Sequence, residues 1–312
     1  MKNFLITGGD GFIGAAICRL LSKSGHKVTS LDNHSRKKHL IDTSDYKSIK
    51  CDITNTLSLS SIKGNFDSII HLAFINGTRF FYEKPDEVIR VGIMGTMNIL
   101  NFAKKKKIKN FYLASSSEVY QTPIKIPTDE KEIMKVPDAY NPRYSYGASK
   151  IMTEMMAIHI GKEFLNKMVI FRPHNVYGAN MGYEHVIPEL INKITNAVKN
   201  KKKFIKIKGT GKETRSFNYI DDFTHGLNLL IKKNLKFETF NIGNNDEITI
   251  NTLVKKIMEI MKVKLDIKYS DLAIGSTNRR CPNIKKITKL GYKQNYSLKK
   301  GLEETINWYL NN

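Results

Sequence analysis

The chain has 312 residues, 41% of them hydrophobic, enough for a substantial globular core and unlike the composition of a disordered chain. It carries 51 Lys and Arg against 29 Asp and Glu, a net charge of +22 that would suit a nucleic-acid binder. The lysines, however, fall in runs such as 104–107 and 201–203 without interleaved aromatics, so a general lysine bias is the better reading and nucleic acid is not the expected partner.

The longest apolar stretch, 88–103, is broken by Arg90, Gly92, Gly95 and Asn98, short of the roughly 18 apolar residues a membrane span needs. The N-terminal segment has no long apolar core of a secretion signal, which predicts a cytoplasmic protein without a membrane partner. Cys18, Cys51 and Cys281 lie far apart with no CxxC pair, so reduced thiols and no metal site are expected.

In chain order, the hydrophobic pattern predicts strands over 3–7, 27–31, 68–72, 110–115 and 168–172, with helices over 13–24, 86–107 and 149–166 between them. Strand and helix in alternation give a parallel sheet covered on both faces, an α/β doubly wound Rossmann fold. The nearly unbroken apolar runs 69–72 and 169–171 suit strands buried on both sides. After Pro173 the pattern loosens into loops rich in Gly, Asn and Lys, then a helix over 223–232, a strand over 239–242 and two C-terminal helical stretches. The expected division is an NAD-binding domain over 1–172, with later returns near 215–262, and a smaller, mainly substrate-binding C-terminal domain over 173–312. Two helices are apolar nearly all round, one through Val88, Ile89, Met94 and Met97, the other through Ile151, Met152, Met155 and Met156. A second apolar stripe wants a partner, and a homodimer through these helices is expected.

The first predicted strand runs into Gly8-Gly9-Asp10-Gly11-Phe12-Ile13-Gly14 and then a helix, the context in which a glycine pattern reads as a dinucleotide site. Gly8 and Gly11 permit the tight turn and the approach of backbone amides to a pyrophosphate; Gly14 lets helix and strand pack closely, with Phe12 and Ile13 opening the helix toward the phosphates. The second strand ends at Asp32, followed by Asn33. A carboxylate there accepts from both ribose hydroxyls and repels a 2′-phosphate, which favours NAD, while Arg36 and Lys37 keep NADP as an alternative.

Tyr146 and Lys150 stand four residues apart at the start of a helix, hence one turn apart on one face. An ammonium near a phenol favours the phenolate and would lower the Tyr146 pKa toward a working range. The pair follows a strand that ends in Ser115-Ser116-Ser117-Glu118, at a strand C-terminus where ligands bind in open α/β sheets.

With TGGDGFIG, Asp32-Asn33, CDI at 51–53, HLA at 71–73, SSSEVY, YxxxK, RPHNVYG at 172–178 and RSFNYIDD at 215–222, the whole chain resembles the extended short-chain dehydrogenase/reductase family, most closely its NAD-dependent nucleotide-sugar epimerases, dehydratases and decarboxylases. The resemblance implies NAD as cofactor and a nucleotide-diphosphate sugar as substrate, oxidised at a hydroxyl, C4 being the expected position, to a keto intermediate that is then epimerised, dehydrated or released. A ketoreductase or a sugar-acid decarboxylase is the alternative, and a non-catalytic cofactor-sensing or RNA-binding Rossmann protein the reading from another class. By similarity Tyr146 takes the hydroxyl proton, Lys150 holds the nicotinamide ribose, and Ser116 hydrogen-bonds the reacting oxygen. Asp52 and Ile53 flank adenine, Leu72 and Ala73 line the cofactor, Asn175 and Arg215 grip the diphosphate, and Arg280 helps. Glu118 is a candidate second acid or base, a turn-capping role being its alternative. The loop 76–81 is expected to face the sugar. Three positions depart from the family pattern: Gly92 where an Asn is common, Gln121 after Val-Tyr in place of a glycine, and Asn283 where an Asp often follows Arg-x-Pro.

Overall fold

The fold comes from a computed structural model that describes residues 1–35, 42–272 and 275–312. The chain opens with β1 (Asn3–Thr7), α1 (Phe12–Lys23), β2 (Lys27–Asp32), β3 (Lys47–Lys50), α2 (Thr56–Ser60) and β4 (Ser68–His71). It continues through α3 (Thr78–Glu83), α4 (Pro85–Lys105), β5 (Asn110–Ala114), α5 (Ser145–Gly161) and β6 (Lys167–Pro173). With the later strand Phe237–Ile242 these strands form one sheet of 7, all pairings parallel, in the order Phe237–Ile242, β6, β5, β4, β1, β2, β3. From β1 the chain goes outward to β2 and β3 and then returns to β4 on the other side. The crevice beyond the C-terminal ends of β1 and β4 is therefore the switch point at which such sheets take ligands.

The strand side chains alternate between two cores, as a pleated strand requires. Phe4, Ile6, Ile70, Tyr112, Val169 and Phe171 enter one core; Leu5, Ile69, Phe111, Leu113, Met168 and Ile170 enter the other. The first core continues without a break into the C-terminal half, through Leu190, Leu227, Leu253 and Leu302. The second packs under α4 and α5. Helix α4 has its chemistry in the stabilising order, with Pro85 at its start, Asp86 and Glu87 in the first turn and Lys104 and Lys105 in the last. On its outer face Ile89, Met94 and Met97 are exposed, and Met152 and Met155 of the adjoining α5 are exposed with them.

Beyond β6 the chain adds short sheets. Val176–Tyr177 pairs with Asn218–Tyr219, and Phe204–Lys208 with Asp266–Ser270. Thr214–Ser216 lies between Glu247–Thr249 and Arg279–Arg280. The last pairing puts Arg280 level with Arg215 across parallel strands.

The elements differ from the expected ones mainly at their ends. Helix α5 begins at Ser145 rather than 149, because a 3-10 turn over Pro142–Tyr144 feeds it; the Asn141 side chain caps that turn by accepting from Arg143 N at 3.0 Å. The edge strand β3 is an addition, its exposed Lys47 and Lys50 leaving no alternating pattern to read. Arg36 and Lys37 lie outside the described residues.

Candidate active site

A cavity of about 540 Å³ opens along the C-terminal edge of the sheet, and a smaller one of about 240 Å³ continues from it. Thr78, Glu118, Asn175, Met181, His185 and Arg280 line both, so the two form one cleft with two ends.

The larger end is built mostly of backbone. Gly8 adopts φ +68°, and a Cβ on it would lie 2.8 Å from Cα and N of Ala73. A Cβ on Gly14 would overlap the Gly8 carbonyl oxygen and lie 2.7 Å from Gly9 Cα. Side chains at either position would fill the cradle, so the glycines are a steric requirement there. Helix α1 is capped by Gly11 without a side-chain hydrogen bond, and Ala15 N closes the first turn onto Gly11 O at 2.8 Å. The amides of Phe12, Ile13 and Gly14 therefore open the helix at its positive end, facing the cleft.

Asp32 sits across the cradle, accepting from His34 N at 2.8 Å and Asp10 N at 3.2 Å. Burial pushes its carboxyl above the ordinary range, and the His34 amide pulls it back. Asn33 caps the following turn through Ser35 N at 3.0 Å. Asp52 accepts from Thr54 N and Oγ1, both at 2.8 Å, and the buried Ile53 follows it. Leu72 N is held by Thr7 O at 3.0 Å and Ala73 N by Thr7 Oγ1 at 3.3 Å. Asp32, Asn33, Asp52, Ile53, Leu72 and Ala73 all line the larger end. Asp10, not singled out from the sequence, accepts from Ser30 Oγ at 2.7 Å and Ser48 Oγ at 2.5 Å and pairs with His34 Nε2 at 2.9 Å. It ties the glycine turn to β2 and β3. A glycine cradle, an open helix N-terminus and a carboxylate at the end of β2 are the donor and acceptor set that fits NAD.

Ser116, Tyr146 and Lys150 line the same cleft. Tyr146 is buried, its ring stacked on Phe81 with centroids 4.7 Å apart and edge-on to Phe74 at 5.1 Å. Lys150 Nζ donates to Ala114 O at 2.7 Å, which fixes the ammonium at the end of β5. Burial brings the amine down to about 7, opposed by the Glu154 carboxylate. The expected lowering of the Tyr146 phenol by Lys150 is not what the geometry gives. Burial pushes the phenol up; Ser116 pulls it down, and the nearest ring to the ammonium is that of Phe74, at 3.8 Å against 5.7 Å for Tyr146. Behind them His71 is buried between Thr7 Oγ1 at 2.6 Å and Thr96 Oγ1 at 3.0 Å. Its imidazole is brought down to about 3 by burial and then by Lys150, so it is neutral.

The smaller end is built of side chains from distant segments. Glu118 lies between Arg143, whose Nη2 donates to both carboxylate oxygens at 3.1 and 3.0 Å, and Arg280, whose Nη1 donates at 2.7 Å. Burial alone would raise this carboxyl, but Arg280 and Arg143 overcome it and hold it far below the ordinary range. Glu118 is thus a fixed anion that organises two arginines; it has no proton to donate. Its own N–H donates to Ser116 Oγ at 3.1 Å, so it also belongs to the turn that Ser116 caps. Arg215 donates to the carbonyls of Thr277 at 2.6 Å and Thr214 at 2.7 Å, and burial, with Arg280 close by, brings it down to about 10. Asn175 Nδ2 donates to Ser216 O at 2.9 Å. Of the loop 76–81, Asn76, Thr78, Phe80 and Phe81 line the cleft, whereas Arg79 is largely exposed and pairs with Glu83 at 3.5 Å and with Glu184, on the wall of the smaller end, at 3.8 Å. Arg143 and Phe74, like Asp10, are cleft residues that the sequence did not single out. The signal for Arg143 is its place three residues before Tyr146; Phe74 follows Leu72 and Ala73 directly.

Among the described residues there is no cluster able to hold a metal ion and no helix long and apolar enough to cross a membrane. The family model for the NAD dependent epimerase/dehydratase family matches residues 4–243. A UDP-N-acetyl-alpha-D-glucosaminuronate decarboxylase of Bacillus cytotoxicus is 32% identical over 99% of this chain and 98% of its own. A dTDP-D-glucose 4,6-dehydratase of Dictyostelium discoideum is 28% identical over 100% of this chain and 82% of its own. The crystal structure of a UDP-glucose 4-epimerase from Thermotoga maritima, with UDP-glucose, superposes with a TM-score of 0.88 at 26% identity, covering 99% of each chain. The protein is an enzyme with NAD as its cofactor, and it belongs to the NAD-dependent epimerase/dehydratase family.

Proposed function

We propose that the enzyme oxidises a ring hydroxyl, at C4, of a nucleotide-diphosphate sugar and turns the resulting ketosugar into its epimer. The observation that carries this reading is the convergence of Ser116, Tyr146 and Lys150 at the end of β5, in one cleft with the glycine cradle and Asp32. NAD, when held there, would supply a reversible hydride acceptor for the sugar carbon. Gly8, Gly11, Phe12, Ile13 and Gly14 would hold the pyrophosphate, Asp32 and Asn33 the adenosine ribose, Asp52 and Ile53 the adenine, and Leu72 and Ala73 the inner wall. Tyr146 takes the proton of the reacting hydroxyl, Ser116 donates a hydrogen bond to the same oxygen, and Lys150 holds the nicotinamide ribose. Arg215, Arg280 and Asn175 bind the diphosphate, for which a guanidinium fork is suited. Residues 173–312 form most of this substrate-binding side.

Epimerisation is favoured over dehydration by the state of Glu118. Water loss needs a second acid or base near the sugar, and a carboxylate clamped by Arg143 and Arg280 is a poor one. Loss of carbon dioxide from a sugar acid is the second reading, because a 4-keto group β to a carboxylate needs no added base. The observation in its favour is that Arg143 Nη1 and Arg280 Nε, both buried, have no hydrogen-bond partner among the described residues. Incubation with UDP-, GDP-, CDP- and dTDP-sugars and UDP-sugar acids decides between them. An isomer of unchanged mass supports epimerisation; loss of 44 or 18 mass units (about the mass of carbon dioxide or water) replaces it.

We further propose that the exposed Ile89, Met94 and Met97 of α4 and Met152 and Met155 of α5 meet the same residues of a second copy in a two-fold dimer. Light scattering at micromolar concentration should give twice the chain mass, and Met94→Glu with Met152→Glu should halve it.

A further inference from the structure

The side chain absent at Gly92 is matched by a ring that occupies its place. Phe74 leaves the end of β4 and turns under α4. A Cβ on Gly92 would overlap the Phe74 Cζ, lie 2.9 Å from its Cε2 and stand 3.2 Å from Ser149 Cβ on α5. The ring can sit there only because position 92 has no side chain. From that seat one face of the ring covers the Lys150 ammonium at 3.8 Å, and the ring stands edge-on to Tyr146 at 5.1 Å and 85°. Phe81 stacks on Tyr146 at 16°. Tyr146 is therefore enclosed by two rings, and Lys150 is held by one carbonyl and one aromatic face.

We propose that Phe74, admitted by Gly92, is a positioning residue of the Tyr146/Lys150 pair: it excludes water from the ammonium and sets the angle at which lysine and phenol face the cleft. The inference rests on reading those two residues as the proton-handling pair. The groups that face Lys150 are Glu154 on its own helix, itself paired with Arg172 of β6 at 2.6 Å, the neutral His71 of β4, and Tyr146. Glu154 is the charged group that favours the protonated amine, the Ala114 carbonyl and the ring face adding to it, and burial outweighs them. Part of that burial is the Phe74 ring, so removing the ring should let the amine return toward its ordinary value.

The test reads Lys150 directly. In folded protein carrying isotope-labelled lysine, Phe74→Ala should raise the Lys150 titration midpoint by about one pH unit or more, with the pH dependence of NAD binding moving the same way. Phe74→Leu, which still covers the amine, should leave the midpoint near that of the wild type. Gly92→Asn, or the milder Gly92→Ala, should displace the ring and weaken NAD binding about tenfold or more, and Phe74→Ala in the Gly92→Asn background should recover most of that loss. A Lys150 midpoint that stays put in Phe74→Ala, or losses from the two positions that simply add, would overturn the proposal. Failure of the catalytic reading shows elsewhere, as undiminished turnover by Tyr146→Phe, and leaves the Lys150 midpoint untouched.

Discussion

The two ends of the cleft are made in different ways. At the larger end the contacts come from backbone that could hardly run otherwise: a glycine turn at φ +68°, a helix start with no side-chain cap, and a strand end carrying Asp32. At the smaller end they come from charged side chains brought together from a loop after β5, the turn before α5 and two short strands. Backbone-built recognition tolerates little change and suits the constant part of a ligand. Side-chain recognition can be re-aimed one residue at a time, and it is there that the substrate is to be told apart from its relatives.

If the smaller end depends on a balance of charges, Glu118→Ala should be the most damaging change. Two buried arginines would lose their shared anion, and removing one member of a buried pair costs about 3–5 kcal/mol. Denaturant unfolding of mutant and wild type measures it. The folded value of this carboxyl lies below the unfolded one, so its contribution is complete above the unfolded value of about 4.3 and disappears only as pH falls further. A Glu118→Ala variant as stable as wild type at neutral pH would mean that the arginines are solvated and the smaller end is not a dry, charged site.

Tyr146→Phe comes next and tests the chemistry where the two ends meet. The ring and its stacking on Phe81 remain while the proton carrier goes, so binding of NAD and nucleotide sugar should persist and the rate of the chemical step should fall about a hundredfold or more. Single-turnover absorbance of the reduced cofactor reads the step. Undiminished turnover would make the cofactor end a binding site without this catalyst.

The sheet between the ends predicts a smaller, pH-dependent effect. His71 and His174 are buried and brought down to about 3 by burial, against an unfolded value near 6.5. Between those values the unfolded chain binds protons that the folded one does not. Stability therefore rises with pH across that window and falls on acidification below about 6.5, by roughly 1 kcal/mol per pH unit for each histidine. Urea unfolding from about pH 7 to pH 5 should show the slope, and His174→Asn should reduce it; a flat profile would count against neutral burial of both rings.

What could be read from the sequence follows the same division. The strands of the central sheet are legible to within a residue or two because apolar runs bounded by polar residues survive burial on both faces, and Gly8 to Gly14 announce their geometry by composition alone. The edge strand Lys47–Lys50 is not, since two exposed lysines around Ser-Ile have no period. Arg143 carries only a positional signal, its place three residues before Tyr146: it lies in a Pro-Arg-Tyr turn, and only the fold brings it to Glu118 25 residues away and to the neighbourhood of Arg280. Pairing between distant segments, as of Phe74 with Gly92, leaves no local pattern in a single chain.

The smallest effect tests the most legible residue. Asp32 faces the cradle with its carboxylate half occupied by the amides of Asp10 and His34, and the oxygens remain on the cleft wall where a ribose would lie. A 2′-phosphate there would meet a half-buried negative charge, whereas hydroxyls would donate to it. NAD should accordingly bind more tightly than NADP, and Asp32→Ala should narrow the gap by about tenfold, close to 1.4 kcal/mol. Because Asp32 also holds the Asp10 amide, the alanine variant should weaken NAD as well as relieve NADP. Asp32→Asn separates the two contributions: it keeps an acceptor for the loop and removes the charge, so NADP binding should improve with little loss of NAD. Titration of both cofactors against the three proteins measures this, and equal affinity of the wild type for NAD and NADP would show that the carboxylate does not read the ribose.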